Sequence, residues 1–347
     1  MLSAVFTTRQ CRYRMPAEWE PHAATWLSWP RRECVSFRAN LNDVLVTFAA
    51  IARVLGAHEP VCINVADAAM EAEARAAIGS AVNVHFHHIP TNEPWCRDHG
   101  PTFVVPDSKH ENPPAGIAVV DWDYNAYGGK FRPFDRDDAV PQRIAEILGL
   151  TCFRPGMVLE GGSIDVNGMG AVLVTESCLL HPNRNPQLTR AQIEQSLRDY
   201  LDVTDVLWLG RGLVGDDTDG HVDDLARFVS PTSVVTVVED DPHDANYAAL
   251  QDNRQRLQAM EPVKHIVELP MPGAVTWRGD RQPASYANFY IANGVVLVPT
   301  FQQAHDTQAL EILQELFPTR EVVGLDSRAV ICGGGSFHCL TQQQPAG

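Results

Sequence analysis

One short plan recurs along this chain and limits its fold more than any other feature. A polar, glycine-bearing start is followed by a tight turn and then by an apolar run of strand formers. Glu160-Gly161-Gly162-Ser163-Ile164-Asp165-Val166 leads through Asn167-Gly168 into Ala171-Val172-Leu173-Val174. His221 to Val229 leads through Pro231-Thr232-Ser233 into Val234-Val235-Thr236-Val237-Val238, and Tyr286 to Ile291 through Asn293-Gly294 into Val295-Val296-Leu297-Val298-Pro299. Asn-Gly between apolar segments is the strongest short hairpin signal, and the runs that follow read as buried strands. Asp98 to Val105, with Ile117-Ala118-Val119-Val120, is a looser copy.

The heads Glu160, His221, Tyr286 and Cys339 are spaced by 61, 65 and 53 residues, and helical patterns fill 41–55, 139–148, 189–201 (Thr189 as N-cap), 244–260 and 305–316. The expectation is an α/β fold of about five ββαβ-like units of roughly 60 residues each, arranged like propeller blades. Radial repetition would aim the strand starts at one axis and gather distant residues into one site. An ordinary mixed α/β sheet is the competing architecture.

No low-complexity linker divides the 347 residues, so 15–347 reads as a single domain and 1–14 as a loose arm before it. A formal net charge of -16 with no Lys/Arg stripe argues against nucleic acid as a partner. The same acidity suits a cationic ligand. No apolar run approaches about 18 residues, which excludes a membrane-spanning helix, and the N-terminus turns polar too quickly for a signal peptide. The eight cysteines are scattered without a CxxC pair, which points to a reducing cytosol rather than a disulfide framework. Nothing has the spacing of metal ligands, His87-His88 being a bare pair. A homo-oligomer, dimer or tetramer, is compatible with all of this.

The candidate site residues stand in four separated segments. Gly333-Gly334-Gly335-Ser336-Phe337-His338-Cys339 delivers a thiol through three glycines, whose ordering cost makes sense where backbone must approach something closely. Trp95-Cys96-Arg97-Asp98-His99-Gly100 sets a carboxylate beside an aromatic residue, and Leu159-Glu160-Gly161-Gly162 sets another before two glycines. In Gly215-Asp216-Asp217-Thr218-Asp219-Gly220-His221-Val222-Asp223-Asp224, His221 and Asp223 would share a face if the segment were a strand. Bland alternatives exist for each: Asp98 as an arginine's partner, Glu160 as a helix cap, His221 as a hydrogen-bonded core histidine. Cys332, ending the apolar run Ala329-Val330-Ile331, reads as a structural cysteine.

A Cys-His amidase needs an oxyanion hole and at most one orienting acid, and three further carboxylates would oppose an oxyanion. They suit a cationic electrophile. A guanidinium stays protonated at physiological pH and presents a planar fork of N–H donors that carboxylates match in bidentate fashion. Asp98, Asp223 and Glu160 would hold it while Cys339 attacks its central carbon.

MPAEWEPHAATWLSWP (15–30), NEPWCRDHGPTFVV (92–105), WDYNAYGGK (122–130), LEGGSIDV (159–166), ESCLLHPNRNP (176–186), GDDTDGHVDDLARF (215–228), ASYANFYIANG (284–294) and GGGSFHCLTQQQP (333–345) resemble, in order, the agmatine deiminases. These form part of the bacterial peptidylarginine-deiminase-like branch of the guanidine-modifying superfamily. The resemblance implies a five-bladed α/β propeller, no cofactor, and hydrolysis of agmatine to N-carbamoylputrescine and ammonia in polyamine metabolism. It assigns Cys339 as nucleophile and amidino carrier, His221 as acid/base, and Asp98, Glu160 and Asp223 to the guanidinium. Asp217 and Trp95 fall at substrate-contacting positions. Deimination of free or peptidyl arginine, amidino transfer to an amine, and non-catalytic binding of a cation are the alternatives.

Several positions depart from the pattern. Glu93-Pro94 stands where an Asp and a small residue are usual, Asp165 where many members have His, and Asp224-Leu225-Ala226-Arg227 replaces a less charged stretch. Arg227 is either a structural ion-pair partner or a reader of a substrate carboxylate, and the second role would favour arginine.

Overall fold

The computed structural model describes residues 6–80 and 83–347. Five of its sheets share one plan: an antiparallel pair, then a helix, then a third strand parallel to the second. Thr102–Pro106 pairs antiparallel with Ala118–Val120, and the helix Val140–Leu148 leads to the parallel strand Thr151–Phe153. Asp165–Val166 and Ala171–Thr175 continue through the helix Arg190–Leu201 to Asp205–Leu209. Ala226–Ser230 and Ser233–Val238 continue through Tyr247–Gln258 to His265–Pro270. Tyr290–Ala292 and Val295–Thr300 continue through Asp306–Leu316 to Glu321–Asp326.

The fifth sheet joins the two ends of the chain. Thr341–Pro345 pairs antiparallel with His22–Ser28, which continues through the helix Leu41–Gly56 to the parallel strand Val61–Val65 and onward to Val84–His88. The middle strands are buried on both faces, as in Ala171–Thr175, where every residue is buried. That is why they read as continuous apolar runs rather than alternating ones.

All five helices indicated by periodicity form, within a few residues of the expected ends. Thr189 caps its helix through a full capping box with Gln192. The helix Ala68–Ile78, capped by Asp67, adds a fourth strand to the closing sheet and breaks the strict repeat. A separate two-stranded hairpin, Thr276–Trp277 with Asp280–Arg281, stands outside the five.

The loose arm expected over 1–14 is replaced, within its described part, by ordered contacts; residues 1–5 lie outside the described residues. Tyr13–Arg14 pairs antiparallel with Thr102–Pro106, and the buried Thr8 donates its hydroxyl to the Asp199 carbonyl at 3.0 Å. No helix among the described residues is long and apolar enough to cross a membrane.

Candidate active site

Each of four sheets has a one-turn element just before its first strand: Cys96–His99, Gly161–Ser163, Val222–Asp224 and Phe337–Leu340. These turns pack in series, Phe337–Leu340 on Cys96–His99, that turn on Gly161–Ser163, and that in turn on Val222–Asp224. The turns, not the strands, hold or adjoin the candidate residues Asp98, Glu160, His221, Asp223 and Cys339. His221 and Asp223 flank the start of a 3-10 turn rather than alternating along a strand as the sequence suggested.

Gly162 lies at the centre of the group. A Cβ there would fall 2.6 Å from His221 Nδ1, 2.8 Å from Asp98 Oδ1 and 3.0 Å from Asp223 Oδ2. Only glycine fits, and its backbone N–H donates to Asp98 Oδ1 at 2.9 Å. The glycines before Cys339 have the same logic. A Cβ on Gly335 would lie 3.0 Å from Cys339 Cβ and 3.1 Å from its Sγ, and one on Gly333 would strike Phe37 at 2.4 Å.

Cys339 is 4% exposed. Asn288 Nδ2 donates to Sγ at 3.1 Å, and Sγ lies 3.6 Å from Asp223 Oδ2. Burial, then Asp223, Asp224 and Asp98, push the thiol well above its usual range. That cavity is lined by Trp95, Asp98, Tyr127, Phe131, Asp217 and Cys339, with Thr218, Gly333 and Gly334 at its rim, and has a free volume of ≈ 10 Å³. It adjoins a wider bowl of ≈ 610 Å³ that shares Phe131, Asp217, Gly333 and Gly334 with it.

Asp98 accepts from Tyr127 Oη at 2.8 Å as well as from Gly162. Burial raises its carboxyl to about 6 against the pull of His221, with Asp223 and Glu160 adding to the rise. Asp223 accepts from His338 Nδ1 at 2.7 Å through Oδ2, while its buried Oδ1 has no partner among the described residues. Burial would raise this carboxyl, but His338, His221 and Arg227 together hold it below the usual range.

His221 is fully buried, its Nδ1 3.6 Å from Asp98 Oδ1 and its Nε2 3.9 Å from Glu160 Oε2. Both ring nitrogens lack a hydrogen-bond partner among the described residues. Burial disfavours the imidazolium, yet Asp98, Cys178 and Glu160 outweigh it and lift the ring well above its ordinary value.

Glu160 stands differently from the guanidinium clamp expected of it. Arg184 Nε donates to its Oε1 at 2.6 Å, and Oε2 faces His221. It does not line the cavity; it sits behind the imidazole, held below the usual carboxylate range by His221 and Arg184 despite burial. Glu160, Cys178 and His221 also offer donor atoms within 4.8 Å of one another. The Arg184 guanidinium already occupies that carboxylate, so the trio fits the acid/base site better than a cation site.

Asp217 is exposed at the mouth, and its backbone carbonyl accepts from Lys130 Nζ at 2.6 Å. The backbone N–H groups of this loop are met by the neighbour of Asp217. Asp216 Oδ1 accepts from Thr218 N at 2.7 Å, and Oδ2 from His221 N at 3.2 Å. Trp95 forms a wall of the cavity and donates Nε1 to Ser36 Oγ at 3.0 Å.

The departures noted in the sequence are structural. Arg227 is fully buried, bonded to Asp165 at 2.5 Å, Glu18 at 2.9 Å and the Phe289 carbonyl at 2.7 Å. Asp165 is thus the acid that receives Arg227, and Arg227 does not reach the cavity. Glu93 accepts from the Val35 and Ser36 backbone N–H groups. Cys332, half-buried, lines the outer bowl and donates to the Arg328 carbonyl at 3.1 Å.

Asn288, His338, Tyr127 and Arg184 touch the site residues without having been singled out. Tyr127 carried a signal in the Gly128-Gly129 that follows it. Ala126, Tyr127, Gly128 and Gly129 all have positive φ, at 52, 58, 83 and 81°. This left-handed turn costs about 1–2 kcal/mol at each of the two residues with a Cβ, and strain of this kind concentrates at functional sites.

The fold and the cysteine–histidine–carboxylate group together define a guanidine-directed deiminase site. Residues 14–345 match the family model of the Porphyromonas-type peptidyl-arginine deiminases, and the chain belongs to that family. It is 40% identical to the agmatine deiminase of Stutzerimonas stutzeri (strain A1501), covering 100% of this chain and 99% of that protein. Among solved structures, the agmatine deiminase of Enterococcus faecalis superposes with a TM-score of 0.90 at 36% identity, covering 99% of this chain and 98% of that one. An agmatine deiminase of C. jejuni with substrate bound superposes with a TM-score of 0.89 at 27% identity, covering 96% and 97% of the two chains.

Proposed function

We propose that this chain hydrolyses agmatine to N-carbamoylputrescine and ammonia through an amidino group carried on Cys339. The observation that carries the reading is the placement of Cys339 Sγ 3.6 Å from Asp223, whose Oδ1 is buried and unpartnered, in a cavity walled by Asp98. A guanidinium between Asp98 and Asp223 would supply the missing donor to Asp223 Oδ1 and a further charge-assisted donor to Asp98. Its charge also offsets the three aspartates that hold the thiol neutral, so binding and ionisation of Cys339 favour each other.

As the cation seats, the thiol releases its proton to solvent, and the thiolate sulfur forms a bond to the central guanidino carbon, giving a tetrahedral adduct. His221 donates a proton to one terminal nitrogen, the C–N bond breaks, and ammonia leaves an amidino-thioether. The neutral imidazole takes one proton from water as its oxygen bonds to the same carbon, which restores the imidazolium. Expulsion of the thiolate then leaves a protonated urea, whose hydroxyl proton passes to solvent or to the departing ammonia to give the ureido product. Glu160 and Arg184 act behind the ring, Glu160 favouring the imidazolium. Asp217, at the mouth, suits the terminal ammonium of agmatine.

In this reading the five sheets are five blades about a common axis, with their leading turns meeting at its centre. The recurrent connection and the serial packing of the turns support it, as does the pairing of Thr341–Pro345 with His22–Ser28. The same closure supports a single domain from residue 15 to 347, and eight unpaired cysteines suit the cytosol. Ammonia release from agmatine, free arginine and a blocked arginine peptide tests the function. Agmatine should be strongly preferred; equal or better turnover of either arginine compound would overturn the substrate assignment.

A further inference from the structure

Both ring nitrogens of His338, the residue before the nucleophile, face carboxylate oxygens. Nδ1 lies 2.7 Å from Asp223 Oδ2, and Nε2 lies 2.8 Å from Glu18 Oε2. A neutral imidazole has one N–H, so one of these contacts would set lone pair against lone pair. The ring therefore holds two hydrogens, or one of the carboxyls is protonated. Glu18 is a poor site for that proton, because it also accepts from Arg227 at 2.9 Å, Arg97 at 3.2 Å and the Ile291 N–H at 2.8 Å.

Charge balance gives an independent reason. Behind Cys339 lie two arginines, Arg97 and Arg227, and three acids, Glu18, Asp165 and Asp223, all buried. With His338 as a cation they balance three to three; with a neutral ring one buried negative charge is left over, which is costly. Asp223 faces His338 from the turn Val222–Asp224, Glu18 from the segment before His22–Ser28, and Arg97 from Cys96–His99. Arg227 and Asp165 stand behind Glu18.

The geometry points to His338 as a positioning residue, held as an imidazolium between Glu18 and Asp223, that fixes Asp223 Oδ2 beside Cys339 and leaves Oδ1 free for the substrate. His338 does not line the cavity. It acts through Asp223, and the chain Glu18–His338–Asp223–Cys339 ties the N-terminal segment to the nucleophile. This rests on the roles given above to Cys339 and Asp223.

Histidine-selective nitrogen NMR on the wild-type protein tests the protonation state without turnover. The His338 signals, identified by their absence in His338→Gln, should report hydrogen on both ring nitrogens at pH 7. A bare nitrogen would overturn the inference. Kinetics test the positioning. His338→Gln should lower kcat/KM for agmatine at least tenfold, lowering kcat more than it raises KM, because Asp223 Oδ2 loses the contact that holds it beside Sγ.

Glu18→Gln/His338→Gln removes one charge of each sign. It should recover thermal stability relative to His338→Gln while the loss in kcat remains. Recovery of kcat along with stability would show that His338 only balances charge, and would overturn the positioning role. Wild-type protein that fails to release ammonia from agmatine would refute the proposed function, while the NMR result would still decide the state of His338.

Discussion

The Tyr127 hydroxyl donates to Asp98 Oδ2 at 2.8 Å from a backbone that runs left-handed for four consecutive residues. The turn is anchored on both sides. Asn183 Nδ2 reaches the Tyr127 carbonyl at 3.3 Å, and Lys130, just past the turn, holds Asp217 O and Asp219 Oδ1 at 2.6 and 2.8 Å. A single strained segment thus sets both an acid in the cavity and the loop at its mouth.

Tyr127→Phe keeps the ring and the turn but removes a hydrogen bond to the ionised form of Asp98. A bond to a charged group contributes about 1.5–3 kcal/mol, so kcat/KM should fall roughly tenfold or more. The sign of the pH effect follows. Asp98, raised to about 6 in the wild type, must be ionised to hold a guanidinium, so wild-type kcat/KM should fall as pH drops through that value. Losing the donor raises the carboxyl further and moves this limb toward neutrality. An unchanged limb in the pH–rate profile would leave Tyr127 as mere packing.

Cys339→Ser should abolish turnover with the fold retained, since a hydroxyl is a far weaker nucleophile. Mass spectrometry of an acid-quenched wild-type reaction should find the amidino group on the peptide bearing Cys339. Cys332 opens on the outer bowl and Cys178 lies behind His221, so label on either would displace Cys339 from its role.

Asp98→Asn and Asp223→Asn each exchange a charge-assisted contact for an amide that presents N–H toward N–H. Each should cost at least tenfold in kcat/KM, by about 1.5–3 kcal/mol per contact. Asp223→Asn should be the more severe, because it also loses the His338 contact and the neighbour of Sγ. Near-normal activity of Asp98→Asn would make Asp98 a structural acid.

The repeated strand plan was legible because each middle strand is buried on both faces and each helix is amphipathic, and both patterns survive in sequence. So was the identity of the residues that gather, since glycines mark where backbone and side chain nearly touch, as Gly162 and Gly335 do. What each residue faces was not legible. Glu160 turns to Arg184 and His221 because a partner from 24 residues along the chain reaches it, and no local pattern encodes that. The His221–Asp223 pairing was misread as strand alternation because a 3-10 turn puts the residues near each other by another route. His338 and Asn288 were hidden in plain view, their roles set by acids and a sulfur from other sheets.

Arg227→Met separates stability from specificity. The substitution takes from Asp165 its arginine and from Glu18 one of two, leaving Asp165 a buried charge met by the Phe228 N–H, and breaking a buried pair in this way costs about 3–5 kcal/mol. Thermal unfolding should shift down clearly. Because Arg227 does not reach the cavity, the preference for agmatine over arginine, measured at a temperature where the variant stays folded, should not change. A variant that loses this ratio would restore Arg227 as a reader of substrate.

Substrate choice should be decided at the mouth. Agmatine differs from arginine by lacking the α-carboxylate, so discrimination must come from groups far from Sγ. Asp217 is exposed there and lines both the cavity and the bowl, while Asp216 takes over the capping of its turn. A carboxylate in that place attracts the ammonium of agmatine and repels the carboxylate of arginine. Screening at an exposed site keeps the effect modest, about 0.2–1 kcal/mol for such a pair. Asp217→Asn should therefore raise KM for agmatine a few-fold with little change in kcat, and narrow the gap to arginine. If KM stays constant while kcat falls, Asp217 acts through the loop that carries His221, and selectivity must be sought among the other residues of the bowl.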